Sequence, residues 1–207
     1  MNRVLILAPH ADDGEFGCGG SIDRFVDEGK EVFYVAFSMC EESIPEPYPK
    51  DILRNEVKEA TKRLGIPKGN VILYNFRVRE LSYHRQEILE ELMKLREAIR
   101  PDLIFVPSPN DLHQDHSTVS IEGIRAFKKA TILGYEICWN NIEFKSQNFI
   151  ILSEENIETK IHAIDAYDSQ KGRGYLGEDF IRSLATTRGY QIGQRYAETF
   201  ETIRWIL

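Results

Sequence analysis

The chain has 207 residues and a formal net charge of −7, with 42% hydrophobic and 29% charged residues. This length suits one α/β domain, and the acidic balance excludes the basic surface typical of nucleic-acid-binding proteins. No apolar run approaches the roughly 20 residues of a membrane-spanning helix, and three irregularly spaced cysteines do not form a disulfide framework. Because the first strand starts almost at the N-terminus, we expect no signal peptide and a cytoplasmic, soluble protein.

The predicted elements alternate between strands and helices along the chain. The apolar run at 3–9 is typical of a buried parallel strand, and a glycine-rich turn separates it from a short helix at 21–29. Further strands are predicted at 31–38, 71–76, 102–107, 130–137, 148–152 and 196–206. Further helices are predicted at 51–64, 82–100, 116–129, 154–168 and 177–190, and the segment 39–50 is too irregular for an element.

This alternation predicts a single domain over residues 1–207 with a Rossmann-like α/β fold. The sheet is expected to be doubly wound and mostly parallel, with right-handed crossovers and helices on both faces. In the common strand order 3-2-1-4-5, strands one and four are neighbours whose crossovers leave on opposite faces of the sheet. The loops that follow these two strands should therefore face each other across the crevice where such sheets bind ligands.

Potential metal ligands occur in both of these loops. His10 and Asp13 follow strand one, and His116 follows strand four. Two imidazoles and one carboxylate, with a coordination position left for water, make the open arrangement of catalytic zinc rather than the closed arrangement of structural zinc. We therefore predict one divalent cation shared by His10, Asp13 and His116.

The neighbouring residues supply the remaining groups for metal-assisted amide hydrolysis. Asp12 lies beside the predicted ligands and can accept a proton from the attacking water. His113 can donate to the oxyanion or protonate the leaving amine, while Asp115 orients an imidazole. We predict that Asp12, His113 and Asp115 are catalytic.

Two segments, PHADDGEFGCGGSI and PNDLHQDH, resemble the motifs of the LmbE-like, PIG-L-type zinc-dependent deacetylases. Members of that family remove the N-acetyl group from N-acetylglucosaminyl and related amino-sugar compounds. The resemblance implies that His10, Asp13 and His116 bind zinc, that Asp12 is the general base, and that Asp115 orients His113. The chain departs from the family pattern at two positions: Ala11 replaces a proline, and Gly14 stands where glutamate is frequent, with Glu15 one residue later.

Segments outside the metal motifs also resemble the family, among them Arg-Asn-Glu at 54–56, Ser-Gln at 169–170 and Tyr-Ala-Glu-Thr-Phe at 196–200. Arg54 could hold a substrate hydroxyl or phosphate through a forked contact, and Arg188 is a second candidate for substrate binding. Tyr135 and Trp139 are assigned to core packing rather than to a sugar pocket.

Several alternatives remain open at this stage. Asp12 and Asp13 could cap a helix, and the same ligands would suit ferrous iron, either in this hydrolase or in a two-histidine, one-carboxylate oxygenase. A non-catalytic module that binds sugars or nucleotides is a third hypothesis, although the glycine spacing is not that of a dinucleotide-binding loop. The sequence favours a small N-acetylated amino-sugar substrate and leaves open its aglycone, the subunit count (a homo-oligomer included), and the roles of Glu15 and of residues 39–50.

Overall fold

In the computed structural model, which describes residues 1–172 and 177–206, seven strands form one sheet. The strands are β1 (Arg3–His10), β2 (Glu31–Ser38), β3 (Val71–Leu73), β4 (Leu103–Pro107), β5 (Thr131–Tyr135), β6 (Asn148–Leu152) and β7 (Tyr196–Arg204). The helices are α1 (Asp13–Asp27), α2 (Ile52–Arg63), α3 (Arg85–Ile99), α4 (Gln114–Ala126), α5 (Glu154–Ile164) and α6 (Glu178–Tyr190).

The strand order is β3-β2-β1-β4-β5-β7-β6, so the predicted order 3-2-1-4-5 is confirmed. The pairings from β3 to β5 are parallel, whereas β7 runs antiparallel to both β5 and β6. The central strand β1 is buried on both faces, with Val4 and Ile6 in one core layer and Leu5 and Leu7 in the other. Helices α1, α2, α5 and α6 cover the first layer, and α3 and α4 cover the second.

This topology brings the two predicted loops together. Strands β1 and β4 are direct neighbours, with Leu5 paired to Ile104, and they end at His10 and Pro107 respectively. Helices α1 and α4 then leave on opposite faces of the sheet, which opens the crevice expected at a topological switch point.

The glycine-rich segment is helical, so the predicted turn before a helix at 21–29 was wrong. Helix α1 already begins at Asp13 and has one non-helical residue, Cys18, with φ of −149°. The prediction was wrong because glycine has a low helix propensity, which favours a turn over a helix in such a segment. In the structure the absent side chains allow close packing: a Cβ at Gly17 would lie 2.3 Å from the Tyr135 ring, and one at Gly20 would lie 2.6 Å from Leu152.

The remaining differences concern the ends of elements. Strand β3 ends at Leu73, and the helix predicted at 82–100 begins as a 3-10 turn at Leu81–His84 before α3. Helix α4 starts two residues before its predicted start, which includes His116 in its first turn. Among the helices that the structure describes, none combines the length and the apolar character that crossing a bilayer requires.

Candidate metal centre and active site

Three ligand atoms converge at the carboxyl ends of β1 and β4. His10 Nδ1 lies 3.0 Å from Asp13 Oδ2, His116 Nε2 lies 3.2 Å from the same oxygen, and the two nitrogens are 3.2 Å apart. His10 is the last residue of β1, Asp13 is the first residue of α1, and His116 is in the first turn of α4. The structure thus brings together the three residues that the sequence predicts as ligands.

The outer nitrogen of each imidazole faces a buried carboxylate. His10 Nε2 lies 3.0 Å from Asp115 Oδ2, and His116 Nδ1 lies 2.7 Å from Asp111 Oδ2. A proton on each outer nitrogen leaves the inner nitrogen with a lone pair directed at the convergence point, as in carboxylate–histidine–metal triads. Asp111 was not predicted as a site residue, although it lies five residues before His116 in the same ligand-rich loop, which was a usable signal.

The role expected for Asp115 requires a correction. Its carboxylate contacts His10 rather than His113, and only its backbone N–H reaches His113, donating to Nδ1 over 3.1 Å. The physical reason is that Asp115 lies in the first turn of α4 and projects across the crevice to β1, while His113 caps the same helix.

The charges around the two imidazoles strongly affect their protonation. Burial opposes the charged form of His10, but Asp13 and Asp115 outweigh it and raise its pKa to about 9. Burial likewise opposes the charged form of His116, and Asp13 and Asp111 raise its pKa to about 10. Burial disfavours the Asp13 carboxylate, yet the two histidines hold its pKa well below the usual value. This cluster therefore attracts positive charge strongly.

The donor set fits a divalent cation. Zinc bonds of about 2.0–2.2 Å at tetrahedral angles separate neighbouring ligand atoms by about 3.3 Å, close to the observed 3.0–3.2 Å. His113 also offers a ligand atom within 4.8 Å of those of His10 and His116, so a three-histidine set is the alternative. We favour Asp13 over His113 because its oxygen lies at zinc-ligand spacing, 3.0 Å and 3.2 Å, from the two nitrogens.

His113 is suited to donate a hydrogen bond into the crevice. A backbone N–H can only donate, so Nδ1 of His113, which faces the Asp115 N–H, must be unprotonated. The single proton of the neutral ring then lies on Nε2. Burial, with the nearby His10 and His116, lowers the pKa of His113 and favours this neutral form.

Asp12 lines the same crevice and does not act as a helix cap. It directly precedes α1, but its side chain makes no capping hydrogen bond to the helix. The crevice, hereafter the cleft, encloses about 210 Å³, far more than the roughly 10–15 Å³ that one water needs. It is lined by His10, Asp12, Asp13, Phe16, Cys40, Ser43, Ile44, Leu53, Val78, Arg79, His113, His116, Trp139, Asn140 and Gln170.

The two arginines predicted to bind substrate lie outside the cleft lining. Arg54 donates to Asn75 and lines a separate surface depression between α2 and β3. Arg188 pairs with Glu136, its Nε 3.1 Å from Oε2, at a small cavity that Trp139 also lines. The side-chain partners of Arg54 and Arg188 were not predicted from the sequence.

Aromatic residues divide between the core and the cleft. Tyr135 is fully buried, as predicted, whereas Trp139 is 42% exposed and forms part of the cleft wall, so its assignment to the core was wrong. Trp139 packs edge-to-face on Phe16, with ring centroids 5.4 Å apart. One wall of the cleft is therefore aromatic.

Glu15 supports the segment that carries Asp12. Its carboxyl group is fully buried and contacts the hydroxyls of Tyr34 and Tyr167, and both hydroxyls also approach the carbonyl oxygen of Ala11. Burial raises the pKa of Glu15 to about 8, although both tyrosines oppose this shift. These contacts to the Ala11 carbonyl oxygen hold the backbone between His10 and Asp12 in place.

The fold and site together define an α/β protein with a candidate catalytic metal centre at the switch point of its sheet. Residues 5–127, which include both ligand loops, match the model of the PIG-L family, described as GlcNAc-PI de-N-acetylase. The chain belongs to this family, and its helices and mixed, mostly parallel sheet match the fold of the family's solved deacetylases.

Individual relatives share 26–27% sequence identity with this chain. Diacetylchitobiose deacetylase of Thermococcus kodakarensis is 26% identical, with 96% of this chain and 82% of the relative covered. The solved N,N'-diacetylchitobiose deacetylase of Pyrococcus horikoshii is 27% identical with a TM-score of 0.82, over 98% of this chain and 84% of that one. The conserved protein TT1542 of Thermus thermophilus is 26% identical with a TM-score of 0.83, over 100% of this chain and 97% of that one.

Proposed function

We propose that the protein is a metal-dependent hydrolase that removes the N-acetyl group from an amino-sugar substrate. The observation that carries this proposal is the convergence of His10 Nδ1, Asp13 Oδ2 and His116 Nε2 within 3.0–3.2 Å of one another, at a cleft that also contains Asp12 and His113. Zinc suits this nitrogen and carboxylate set best, and ferrous iron would accept the same ligands.

The chain's own groups cover each proton and charge that amide hydrolysis moves. When bound, the cation polarises the amide carbonyl and lowers the pKa of a water molecule. Asp12 accepts the proton of the attacking water, and the Nε2–H of His113 donates to the oxygen that becomes negative. Asp115 and Asp111 hold His10 and His116 in the tautomers that coordination needs.

The substrate class follows from the relatives and agrees with the cleft. The relatives at 26–27% identity include deacetylases named for diacetylchitobiose, an N-acetylated disaccharide. The exposed part of Trp139 offers an apolar surface beside the candidate metal centre, and sugar rings present apolar C–H faces of their own. We therefore assign an N-acetylated amino sugar, free or conjugated, as the substrate.

The decisive experiment compares Asp12→Asn with the wild type after both are loaded with zinc. We expect Asp12→Asn to bind one zinc per chain and to lose turnover about 100- to 10,000-fold, because only the base is removed. Release of acetate and of primary amine from N-acetylglucosamine and N,N'-diacetylchitobiose measures turnover, and metal analysis runs on the same samples. Asp27→Asn, at the exposed end of α1, is the matched control and should keep wild-type rates.

Two outcomes would contradict the proposal. If Asp12→Asn hydrolysed these amides at the wild-type rate, Asp12 would not be the base. If the wild-type protein, carefully stripped of metal, retained full activity, the metal-dependent mechanism would be wrong.

A further inference from the structure

Two segments outside the metal motifs, at 54–56 and 169–170, form one hydrogen-bonded unit beside the cleft. The Ser169 N–H donates to Glu56 Oε1 over 2.8 Å, and the Ser169 hydroxyl donates to Glu56 Oε2 over 2.6 Å. Glu56 lies on α2, whereas Ser169 and Gln170 lie in a 3-10 turn between α5 and α6. All three residues are buried. The unit therefore holds this turn against α2, outside the metal centre.

The same unit fixes the orientation of the Gln170 amide. Gln170 Nε2 lies 3.0 Å from Ser169 Oγ. The Ser169 hydroxyl has a single proton, which it donates to Glu56, so its oxygen can only accept from Gln170. The amide nitrogen must therefore face Ser169, and the amide oxygen Oε1 must be directed away from it.

Gln170 Oε1 is an acceptor without a protein partner at the wall of the cleft. Gln170 is only 4% exposed and lines the cleft, and within residues 1–172 and 177–206 no group donates a hydrogen bond to Oε1. Leaving a buried polar atom without a hydrogen bond is costly in free energy. The donor that satisfies Oε1 therefore has to come from whatever occupies the cleft.

A second neutral group lies on the same wall. The Ser43 hydroxyl oxygen is shielded from solvent, lines the cleft and has no hydrogen-bond partner among the residues that the structure describes. Ser43 belongs to the loop that follows β2, and this loop contacts the Gln170 turn through the Tyr48 hydroxyl, which donates to the Asp168 carbonyl oxygen over 3.2 Å. Two neighbouring segments thus present neutral hydrogen-bonding groups to the cleft.

An amide oxygen in this position recognises a hydrogen-bond donor, and a sugar hydroxyl is such a donor. A hydroxyl group offers one proton to the amide oxygen and keeps lone pairs for other contacts. A carboxylate or phosphate anion could not use this acceptor, because an anion of this kind offers no proton. Asp12, Asp13 and the cleft histidines serve the metal and the proton transfers under the proposed function, so Gln170 remains for the sugar.

We propose that Gln170 determines specificity by accepting, through Oε1, a hydrogen bond from one hydroxyl group of the amino sugar. Ser169 and Glu56 are positioning residues, which hold the amide in the orientation that this contact requires. The inference rests on the proposed function and deepens it: the substrate must carry a free hydroxyl at the sugar position that faces Gln170.

The test removes the sugar hydroxyls one at a time. Methyl glycosides of N-acetylglucosamine and of its 3-, 4- and 6-deoxy analogues are given to zinc-loaded wild type and to Gln170→Met, which keeps the length of the side chain but lacks the amide. We expect the wild type to favour the parent over one deoxy analogue by about tenfold or more in kcat/KM, and Gln170→Met to lose that preference. The ratio of parent to analogue within each enzyme cancels any general loss of activity.

Ser169→Ala tests the positioning role separately. This variant keeps Gln170 but removes the oxygen that accepts from Nε2, so its preference at the same hydroxyl should fall between those of the wild type and Gln170→Met. Its ratios for the other two deoxy analogues should not change. Gln86→Met, the same substitution at an exposed residue of α3 outside the cleft lining, is the control and should keep every wild-type ratio. An undiminished preference in Ser169→Ala would overturn the positioning role.

The inference is wrong if the wild type does not distinguish the parent from any deoxy analogue, or if Gln170→Met keeps the wild-type ratios. Dissociation constants of the same glycosides, measured by calorimetry, separate it from the proposed function. If no glycoside is hydrolysed but the parent binds more tightly than one analogue only when Gln170 is present, the proposed function fails and the inference stands. If the glycosides are hydrolysed with equal ratios in both enzymes, the inference fails and the proposed function stands.

Discussion

Two buried clusters of charged side chains flank helix α1, and they differ in how their charges are balanced. In the candidate metal centre, three potential ligand atoms, from His10, Asp13 and His116, lie within 3.0–3.2 Å of one another. The second cluster is built around Glu198 and Lys160, which form an ion pair at 2.6 Å. Both clusters are buried, yet only the first borders the cleft.

The second cluster supplies all of its own partners. Glu198 accepts from the Gly20 and Ser21 N–H groups, from the Ser21 hydroxyl and from Lys160, whose ammonium also donates to the Phe16 carbonyl. A buried charge satisfied in this way needs nothing from outside the chain. The comparison teaches that burial and charge do not identify a site: a convergence of potential ligand atoms at the border of a cleft does.

Removal of a single ligand should have the largest effect on the candidate metal centre. We expect Asp13→Asn to lose the metal and at least about a thousandfold of turnover, because a coordinating carboxylate becomes a weak amide ligand. His113→Ala should keep the metal and lose about 100- to 1,000-fold, as expected for an oxyanion donor. Metal stoichiometry and turnover are measured on the same preparations. Metal loss in His113→Ala with retention in Asp13→Asn would establish the three-histidine set instead.

The sequence predicted the strand order and the ligand loops because both depend on local patterns. Apolar runs that end in Pro9 or Pro107 mark buried strands, and ligand residues directly after them must lie at one edge of the sheet. The helical glycines were missed because their role depends on Tyr135 and Leu152, which are far away in the chain.

Side-chain partners were equally invisible to sequence patterns. Asp115 contacts His10, which lies 105 positions earlier in the chain. Arg188 is paired with Glu136 and therefore does not lie at the predicted substrate site. Arg79 adopts a left-handed backbone conformation, with φ of 69°, and this was not predictable because neither of its neighbours in the chain is glycine or asparagine. Residue identity thus predicted which chemistry is present, whereas tertiary contacts decided which groups are directed at the cleft.

Competition between protons and the metal ion provides a second test of the candidate metal centre. With pKa values of about 9 and about 10, His10 and His116 are both protonated at pH 7 without metal, so coordination must release both protons. We expect the apparent metal association constant to fall up to about 100-fold for each pH unit below 9. Calorimetry in buffers of different ionisation enthalpy counts the protons released.

The same shifts predict the stability of the metal-free protein. The pKa values of His10 and His116 are both raised above the ordinary 6.5, so protonation of these two imidazoles stabilises the folded state. This stabilisation is fully present below pH 6.5 and is lost as the pH rises through 9 to 10. The free energy of unfolding of the metal-free protein, measured between pH 6.5 and 10, should therefore decrease with pH. The zinc-loaded protein should not show this decrease. A metal affinity that does not change with pH would contradict the assignment of these imidazoles as ligands.

The outer carboxylates should have a smaller effect than the ligands. Asp111→Asn and Asp115→Asn keep the shape of each side chain but weaken the hold on His116 and His10, so we expect about 10- to 100-fold losses in metal affinity. Competition with a chelator measures the affinity. Unchanged affinity in both variants would show that the carboxylates do not orient the ligands.

The smallest effect on turnover is expected at the closed cluster, although its effect on stability is large. Lys160→Met leaves the Glu198 carboxylate buried without its cation, so we expect about 3–5 kcal/mol less stability. Metal content should be unchanged and turnover should stay within about threefold at temperatures where the variant is folded, because Lys160 is outside the cleft lining. Lys58→Met, exposed on α2, is the control and should change stability by no more than about 0.5 kcal/mol. If Lys160→Met abolished turnover in folded, metal-loaded protein, the two clusters would be coupled, and Phe16, whose carbonyl accepts from Lys160 and whose ring packs on Trp139, would be the connection to test next.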